Sequence, residues 1–468
     1  MNIELIPSAR RLIRSLRDIG YEFVDAVADI VDNSVEAGAT VISISLRFEG
    51  EDSYLTIADN GIGMASREIQ EALRFGSNRT YDDSDDLGRY GLGLKTASLS
   101  QCEKLTVSAR RGEERARINS YCWDLAHIER TNRWEVLKID SDRLKDEARS
   151  HLGRTTGTVV TWERLGRLMG YKYPSGENAR KQSDLLAVSL KAHLGMIFHR
   201  FLSGEVNEKR ISIYINDEKV TAWDPYSRGE PYTLKLDQFL IPLAYNGATY
   251  NIRVNPYILP PQSLYTSNKS HLLASGPSKW NKQQGLHIYR SNRIIQAGGW
   301  NGLRTSDEHT KLLRVAMFIP SQLDEVFQVN VAKKHANLPR EIRPMLAQKL
   351  QPIIQKAQDV YREKLSIPQH TTGTPTVTIT EHNHSNSTVR ARQQPSQDPE
   401  HASPDQHVKE PIQTDLETVI NEALKLLTQV PEDEKYRTLM NGICLSANQN
   451  ERQTIQQLIL RYMSNGAD

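Results

Sequence analysis

Cysteine is scarce in this sequence, and long apolar runs are missing from it. The three cysteines, Cys102, Cys122 and Cys444, lie far apart, and none belongs to a CxxC pair. This spacing argues against a disulfide framework and against a structural zinc site. Without a run of about 18 apolar residues, we expect no membrane-spanning helix. The basic N-terminus lacks the apolar stretch of a secretory signal, so a cytoplasmic protein is expected.

Length and charge set broad limits. A chain of 468 residues and 53.1 kDa is too long for one compact core, so two or three domains are expected. The net charge of +2 indicates nothing about nucleic acid by itself, and any basic surface must be local. Two arginine clusters could form one: Arg10, Arg11, Arg14 and Arg17, and Arg110, Arg111, Arg115 and Arg117. A solvated helix face and a charged hairpin are the commoner explanation of such clusters.

Composition divides the chain into four segments. Residues 1–165 alternate helical and strand patterns, and residues 166–365 are rich in strand patterns and end in a helix. Residues 366–414 lose nearly all apolar side chains and are dominated by Pro, Thr, Ser, Gln and His, which predicts a disordered linker. Residues 415–468 carry two apolar stripes at helical spacing, which predict a small helical C-terminal unit.

The segment YEFVDAVADIVDNSVEAGAT predicts a helix that ends at Gly38. Asp29 and Asn33 are four residues apart, so they project from the same side of that helix. A carboxylate that polarises a water and an amide that coordinates a divalent ion would suit this arrangement. A polar stripe on an amphipathic helix produces the same pattern.

Two strands follow this helix in the sequence. TVISISLRF alternates apolar and polar residues, and YLTIADNGIGM runs directly into Asp59, Gly61, Gly63 and Met64. A carboxylate only accepts hydrogen bonds, so it selects an exocyclic amino group such as that of adenine. The glycines permit a close backbone approach to a base. DNG is also a hairpin signal, however, and is weak evidence alone.

A glycine-rich stretch, LGRYGLGLKTASL, places Gly88, Gly91 and Gly93 ahead of a helix with Lys95 at its start. Free backbone N–H groups, a helix N-terminus and a lysine together predict a phosphate cradle. It is not the GxxxxGK(S/T) P-loop. The polar run SNRTYDDSDD before it predicts a lid, and the strand RTTGTVVTW brings Thr158 as a residue that could face the base.

In this order and at these spacings, the four motifs resemble those of the GHKL ATPases (Bergerat fold). This superfamily includes the type II topoisomerase ATPase subunit, MutL, the ninety-kilodalton heat-shock chaperone and MORC proteins. DIVDN, DNGIGM, GRYGLGLK and TGT match its first to fourth motifs. The resemblance implies an α+β fold, in which an α/β-sandwich ATPase domain precedes a transducer β-α-β domain. It also implies ATP and Mg²⁺ as ligands.

The resemblance carries residue roles with it. Asn33 would hold Mg²⁺, Asp59 would bind the adenine amino group, and Thr158 would support that group through water. The implied nucleotide-binding set is Asn33, Asp59, Gly61, Gly63, Met64, Gly88, Arg89, Tyr90, Gly91, Leu92, Gly93, Lys95 and Thr158. The water-activating residue of the family is normally glutamate, and here that position is Asp29. Because displacement of a catalytic group by about 1 Å can cost about 10²-fold in rate, we expect slow hydrolysis or a helix closer to the nucleotide.

Further along, QQGLHIYRSNRIIQAGGWNGL and FQVNVAKKHANLPREIR resemble the transducer domain of MORC and MutL relatives. In that domain a loop lysine reaches the γ-phosphate. Lys333 is the predicted catalytic lysine, with Lys334 beside it, although a lysine pair in a loop is usually just solvated. The opening SLRDIGYEFVDAVADIVDNSVEAGA is most similar to the MORC-like branch, including its prokaryotic members.

The resemblance implies a homodimer that forms on ATP binding and closes as a clamp until hydrolysis. We expect it to act on DNA, in genome maintenance or in defence against foreign DNA. One alternative is a chaperone-like, protein-remodelling ATPase, which would show no salt-dependent DNA affinity. Another is an ATP-gated scaffold whose C-terminal helices recruit an effector protein. A histidine kinase is disfavoured because too little chain precedes the ATPase motifs for a phospho-acceptor helix.

Overall fold

The computed structural model describes residues 7–18, 20–75, 93–112, 117–170, 172–206, 210–329 and 336–366. These residues belong to the first of two compact units, residues 1–372. The second unit, residues 373–468, lies outside the described residues. The predicted linker from residue 367 onwards and the predicted C-terminal helical unit therefore stay predictions.

The described residues form twelve helices and fourteen strands, with five short 3-10 turns between them. The helices are α1 Ala9–Arg17, α2 Phe23–Glu36, α3 Ser66–Leu73, α4 Gly93–Gln101, α5 Leu125–Thr131, α6 Asp146–Arg154, α7 Gly166–Met169, α8 Glu177–Ile197, α9 His199–Ser203, α10 Asn268–Ala274, α11 Lys279–Gln283 and α12 Arg343–Ser366. The strands are β1 Val41–Arg47, β2 Tyr54–Asp59, β3 Lys104–Arg110, β4 Asn119–Asp124, β5 Leu137–Lys138, β6 Gly157–Glu163, β7 Ser212–Ile215, β8 Glu218–Lys219, β9 Leu234–Lys235, β10 Phe239–Tyr245, β11 Ala248–Ile258, β12 Gly285–Arg290, β13 Arg293–Ala297 and β14 Leu313–Ile319.

The first sheet has eight strands in the order β5-β4-β3-β6-β2-β1-β7-β8. Its pairs are antiparallel except β1 with β7, which run parallel. Along β1, Ile42, Ile44 and Leu46 are buried while their neighbours are more exposed, so the predicted one-sided strand is confirmed. Because β7 and β8 extend this sheet, it continues beyond residue 165, the predicted end of the ATPase domain.

Helix α2 lies against the first sheet and against α4 and α8. Its apolar residues Ala26, Val27, Ile30, Val31 and Val35 are all buried, as the helical pattern predicts. The helix ends at Glu36, with Ala37 as its C-cap and Gly38 next in the chain. Polar residues of α2 such as Asp29 and Ser34 lie outside this apolar stripe, where they contact side chains of other segments.

The second sheet has the order β10-β11-β14-β12-β13, and β9 pairs with β11. Helix α12 packs on it through Leu346, Leu350, Ile354 and Ala357, which recur at helical spacing. Tyr289 of β12 belongs instead to the core of the first sheet, so the two sheets share a packed boundary. In the part of the chain that the structure describes, no helix is both long and apolar enough to cross a membrane.

Candidate functional site

Asp59 ends β2 as a buried carboxylate. Its Oδ1 accepts hydrogen bonds from the backbone N–H of Gly61 at 2.9 Å and of Thr158 at 3.2 Å, and Oδ2 accepts one from the Ser34 hydroxyl at 3.0 Å. Burial raises the pKa of Asp59, and these three donors oppose that rise. A carboxylate has about four lone-pair positions. A fourth donor, such as the amino group of a base, therefore still has a place.

The backbone around Asp59 is held from two directions. The side-chain oxygen of Asn60 accepts from the backbone N–H groups of Thr40 at 2.8 Å and Val41 at 2.9 Å, which attaches the turn to the start of β1. On the other side, Nε2 of His151 lies 2.8 Å from the carbonyl oxygen of Asp59. Asn60 is thus a structural residue of its motif, and His151 is a neighbour that the sequence did not reveal.

The glycines of the DNGIGM motif allow the protein's own backbone to come close. Gly63 has φ +68, and a Cβ there would lie 2.1 Å from the carbonyl oxygen of Arg110. A Cβ on Gly61 would lie 2.7 Å from the carbonyl oxygen of Ala37. Met64, which follows, is half-buried and packs against the first core. These two glycines therefore let other segments of the protein backbone come close to the motif. This packing shapes the loop beside Asp59.

On α2, the buried carboxylate of Asp29 is bound at both oxygens. Oδ2 accepts from the Tyr21 hydroxyl at 3.1 Å, and Nη1 of Arg293 lies 3.3 Å from Oδ1. A Cβ built on Gly93, the first residue of α4, would lie 4.0 Å from Oδ2. The candidate base therefore lies beside the N-terminal end of the helix that follows the predicted phosphate loop.

Asn33 lies one turn beyond Asp29 on α2 and is partly exposed. Mg²⁺ prefers oxygen ligands and is commonly held by one or two protein groups together with substrate phosphates. An accessible amide oxygen on a rigid helix fits that requirement. Asn33 is thus suited to the metal role that the resemblance implies.

Lys95 lies in the first turn of α4, where the sequence places it, and its amine contacts the protein backbone. Its side chain is buried, and its amine donates to the carbonyl oxygens of Ala72 at 3.0 Å and Arg74 at 2.7 Å, at the C-terminal end of α3. Burial lowers the pKa of Lys95 to about 8. The last carbonyls of α3 lack partners within that helix, and the amine of Lys95 satisfies them. A phosphate would have to draw the amine away, so the phosphate role stays a prediction.

Several predicted residues lie outside the described residues: Gly88, Arg89, Tyr90, Gly91, Leu92, Lys333 and Lys334. The structure brings Asp59, Thr158 and Gly61 together, and it places Asp29, Gly93 and Asn33 along the same helix pair. Three neighbours, Ser34, Tyr21 and Arg293, carried no local signal in the sequence. Arg293 is 264 residues from Asp29, so only the packing of the chain reveals it.

Comparison with known proteins identifies the domain that holds this site. Residues 21–158 match the model of the family described as histidine kinase-, DNA gyrase B- and HSP90-like ATPase. The chain carries a GHKL ATPase domain. That range includes α2, β2 and the start of β6, which hold Asp29, Asp59 and Thr158.

Relatives of the GHKL domain have MutL and MORC names. The DNA mismatch repair protein MutL of Thermosipho africanus is 30% identical over 98 residues, which is 20% of this chain and 17% of the relative. The DNA mismatch repair protein PMS1 of Arabidopsis thaliana is 39% identical over 93 residues (19% and 10%). The ATPase morc-1 of Caenorhabditis elegans is 31% identical over 88 residues (19% and 10%). The chain spans less than a fifth of the length of these relatives. The predicted resemblance of its GHKL domain to MORC and MutL proteins is confirmed.

Proposed function

We propose that this protein binds ATP with Mg²⁺ in its GHKL domain and hydrolyses it slowly. The observation that carries the proposal is the buried Asp59 carboxylate, which is held by three donors and has room for one more. Ser34, one of those donors, is five residues from Asp29 on α2, a rise of about 7.5 Å. The adenine end and the hydrolytic end of the site are thus supported by one helix.

Each residue then has a defined task. Asp59 accepts a hydrogen bond from the amino group of adenine, which guanine does not offer at that edge. Asp29 accepts a proton from the attacking water, and Asn33 supplies an oxygen to Mg²⁺. The metal, when bound, neutralises charge on the phosphates. The loop residues Gly88 to Leu92 and Lys333 are the proposed partners of the phosphates.

We further propose that ATP drives homodimerisation into a clamp that acts on DNA, in genome maintenance or in defence against foreign DNA. The names of the MutL and PMS1 relatives support the DNA part, since both are DNA mismatch repair proteins. The arginine clusters support it less. Arg14 pairs with Glu129, Arg111 pairs with Glu68, and Arg110 donates to backbone carbonyls of α6. These contacts favour a structural role for several of the arginines.

Nucleotide binding is tested with Asp59→Asn. An amide in place of the carboxylate turns a donor toward the adenine amino group, so we expect ATP affinity to fall at least about 10-fold. The control is Asp52→Asn, at an exposed position just before β2. Titration of the full chain with ATP and with GTP measures both affinity and base selection. If Asp59→Asn binds ATP as the wild type does, the assignment of the adenine pocket is wrong.

The clamp is tested by light scattering of the full chain, as wild type and as Asp29→Asn. Each is measured without nucleotide, with ATP and Mg²⁺, and with a non-hydrolysable analogue. We expect the analogue to produce dimers of both proteins, and ATP to produce a lasting dimer only of Asp29→Asn. If the molecular mass does not change with any nucleotide, the clamp proposal is wrong. DNA affinity is then measured across salt concentrations, and its absence would favour a protein-remodelling ATPase.

A further inference from the structure

Arg293 connects the second sheet to the candidate base. It is the first residue of β13, and its guanidinium is buried against α2 of the first domain. Nη1 lies 3.3 Å from Oδ1 of Asp29 and also donates to Oδ2 of Asp32. The ring of Phe198 lies under the guanidinium, at 5.6 Å from its carbon to the ring centroid. The side chain is therefore fixed by packing and by two carboxylates.

The surroundings of Asp29 are rich in negative charge. Asp25, Asp29 and Asp32 recur at helical spacing on α2, and all three are buried. Facing them are Arg293 from β13 and His193 from α8, whose Nε2 lies 3.3 Å from Oδ1 of Asp25.

Two other segments contribute neighbours of Asp29. Tyr21, from the segment before α2, donates its hydroxyl to Asp29, and α4 contributes Gly93 and Thr96 near the same place. The amine of Lys95 is bound to the end of α3 instead. Arg293 is a cation in direct contact with Asp29.

Arg293 keeps its charge in this setting. Burial alone would lower its pKa, but the carboxylates of Asp32 and Asp29 outweigh that effect, and the pKa of Arg293 is raised. Removing the guanidinium would leave buried carboxylates facing one another without it. Loss of this nearby positive charge should therefore raise the pKa of Asp29.

We propose that Arg293 is a positioning residue for ATP hydrolysis, which holds the carboxylate of Asp29 ionised and directed toward the N-terminal end of α4. This inference rests on the proposed function of the GHKL domain. It also explains how an aspartate serves where the family has glutamate: the shorter side chain is held at both oxygens, by Arg293 and by Tyr21.

The test is the pH dependence of ATP hydrolysis by the full chain, from about pH 6 to about pH 9.5, in Arg293→Met and Arg293→Lys. Loss of this positive charge should raise the pKa of Asp29, so that less of the base is ionised at neutral pH. We therefore expect Arg293→Met to bind ATP with unchanged affinity, to lose about 10-fold or more in kcat at pH 7, and to recover as the pH rises. Arg293→Lys should lie between this variant and the wild type. Arg253→Met, at an exposed position on β11, is the matched control.

A second variant is expected to move the profile in the opposite direction. Asp32→Asn removes one negative charge from the same guanidinium nitrogen, so Asp29 should ionise more easily. In rate profiles of this variant and the wild type that extend down to about pH 4, the acid limb should shift to lower pH in the variant. This variant is close to isosteric, and it keeps the proposal testable if Arg293→Met does not fold. An unshifted acid limb in Asp32→Asn, or an equal loss at every pH in Arg293→Met, overturns the proposal.

The thermal stability of Arg293→Met without nucleotide also tests the effect of Arg293 on the pKa of Asp29. In Arg293→Met the pKa of Asp29 is raised above its unfolded value, so the native state binds more protons and stability falls as the pH rises through that window. The melting temperature of Arg293→Met should then approach that of the wild type at about pH 5 and fall below it at about pH 8. If the difference in melting temperature between the wild type and Arg293→Met is the same at both pH values, the proposal is wrong. If the wild type itself neither binds nor hydrolyses ATP, the proposed function fails instead.

Discussion

The hydroxyl of Ser34 lies 3.0 Å from Oδ2 of Asp59. Helix α2 therefore carries the candidate base and also supports the carboxylate that is proposed to select adenine. The two ends of the proposed nucleotide site are thus attached to one helix.

The first prediction concerns Ser34→Ala. Loss of one donor to a buried carboxylate is expected to weaken ATP binding by about 3- to 10-fold, which corresponds to about 0.5–1.5 kcal/mol. Isothermal titration calorimetry measures the change. Ser141→Ala, at an exposed position, serves as the control. An affinity equal to that of the wild type would show that Ser34 does not support the pocket.

The second prediction is a pH dependence of binding. Burial raises the pKa of Asp59, while the Ser34 hydroxyl is among the groups that lower it. Only the ionised carboxylate accepts from adenine without offering a proton, so affinity should fall as the pH drops through this raised pKa. In Ser34→Ala the fall should begin at higher pH. Both proteins are measured with the same nucleotide, so protonation of the nucleotide itself affects both equally. If the two curves of affinity against pH coincide, the assignment of Asp59 to the adenine pocket is contradicted.

The third prediction concerns the loop beside Asp59. Gly63→Ala places a Cβ 2.1 Å from the carbonyl oxygen of Arg110 at a residue with φ +68. Both effects oppose the native backbone, and we expect a loss of about 2 kcal/mol or more in the free energy of unfolding. Urea denaturation measures it. Gly153→Ala is the control, because Gly153 lies in α6 with open space around it, and there alanine should be neutral or stabilising by up to about 1 kcal/mol.

The fourth prediction concerns the buried amine of Lys95 and its contacts with the end of α3. Its native pKa is lowered to about 8, whereas an unfolded lysine titrates near ~10.4. Between these values the unfolded chain holds more protons, so the stability contributed by Lys95 rises with pH. The free energy of unfolding of the wild type minus that of Lys95→Met should grow by about 1–3 kcal/mol from about pH 7.5 to about pH 10. A difference independent of pH, measured by urea denaturation, would contradict the buried environment.

The fifth prediction concerns the second sheet. Arg290 and Asp324 form a buried ion pair, in which Nε lies 2.9 Å from Oδ1 and 2.8 Å from Oδ2. Asp324→Ala leaves a buried guanidinium without this partner, which should cost about 3–5 kcal/mol. The double variant Arg290→Met, Asp324→Leu removes both charges and should lose less. Urea denaturation measures both variants. If the double variant is less stable than Asp324→Ala, the attraction between Arg290 and Asp324, and not the unpaired charge, accounts for the loss.

Local patterns in the sequence determined the elements of the site. The periodicity of apolar residues located α2 and β1, because a helix and a strand repeat their buried side chains at 3.6 and 2 residues. The order of the four motifs identified the GHKL domain, and Asp59 and Asp29 followed from it. These features depend on residues close together in the chain, so the sequence alone reveals them.

Tertiary structure decided the contacts between distant segments. Nothing local indicates that Arg293 reaches Asp29 across 264 residues, that β7 joins β1 in a parallel pair, or that the amine of Lys95 binds the end of α3. Each depends on how separate elements pack and on which buried polar groups then need partners. A buried charge must find an opposite charge or hydrogen bonds, and only the folded chain determines which ones lie within reach.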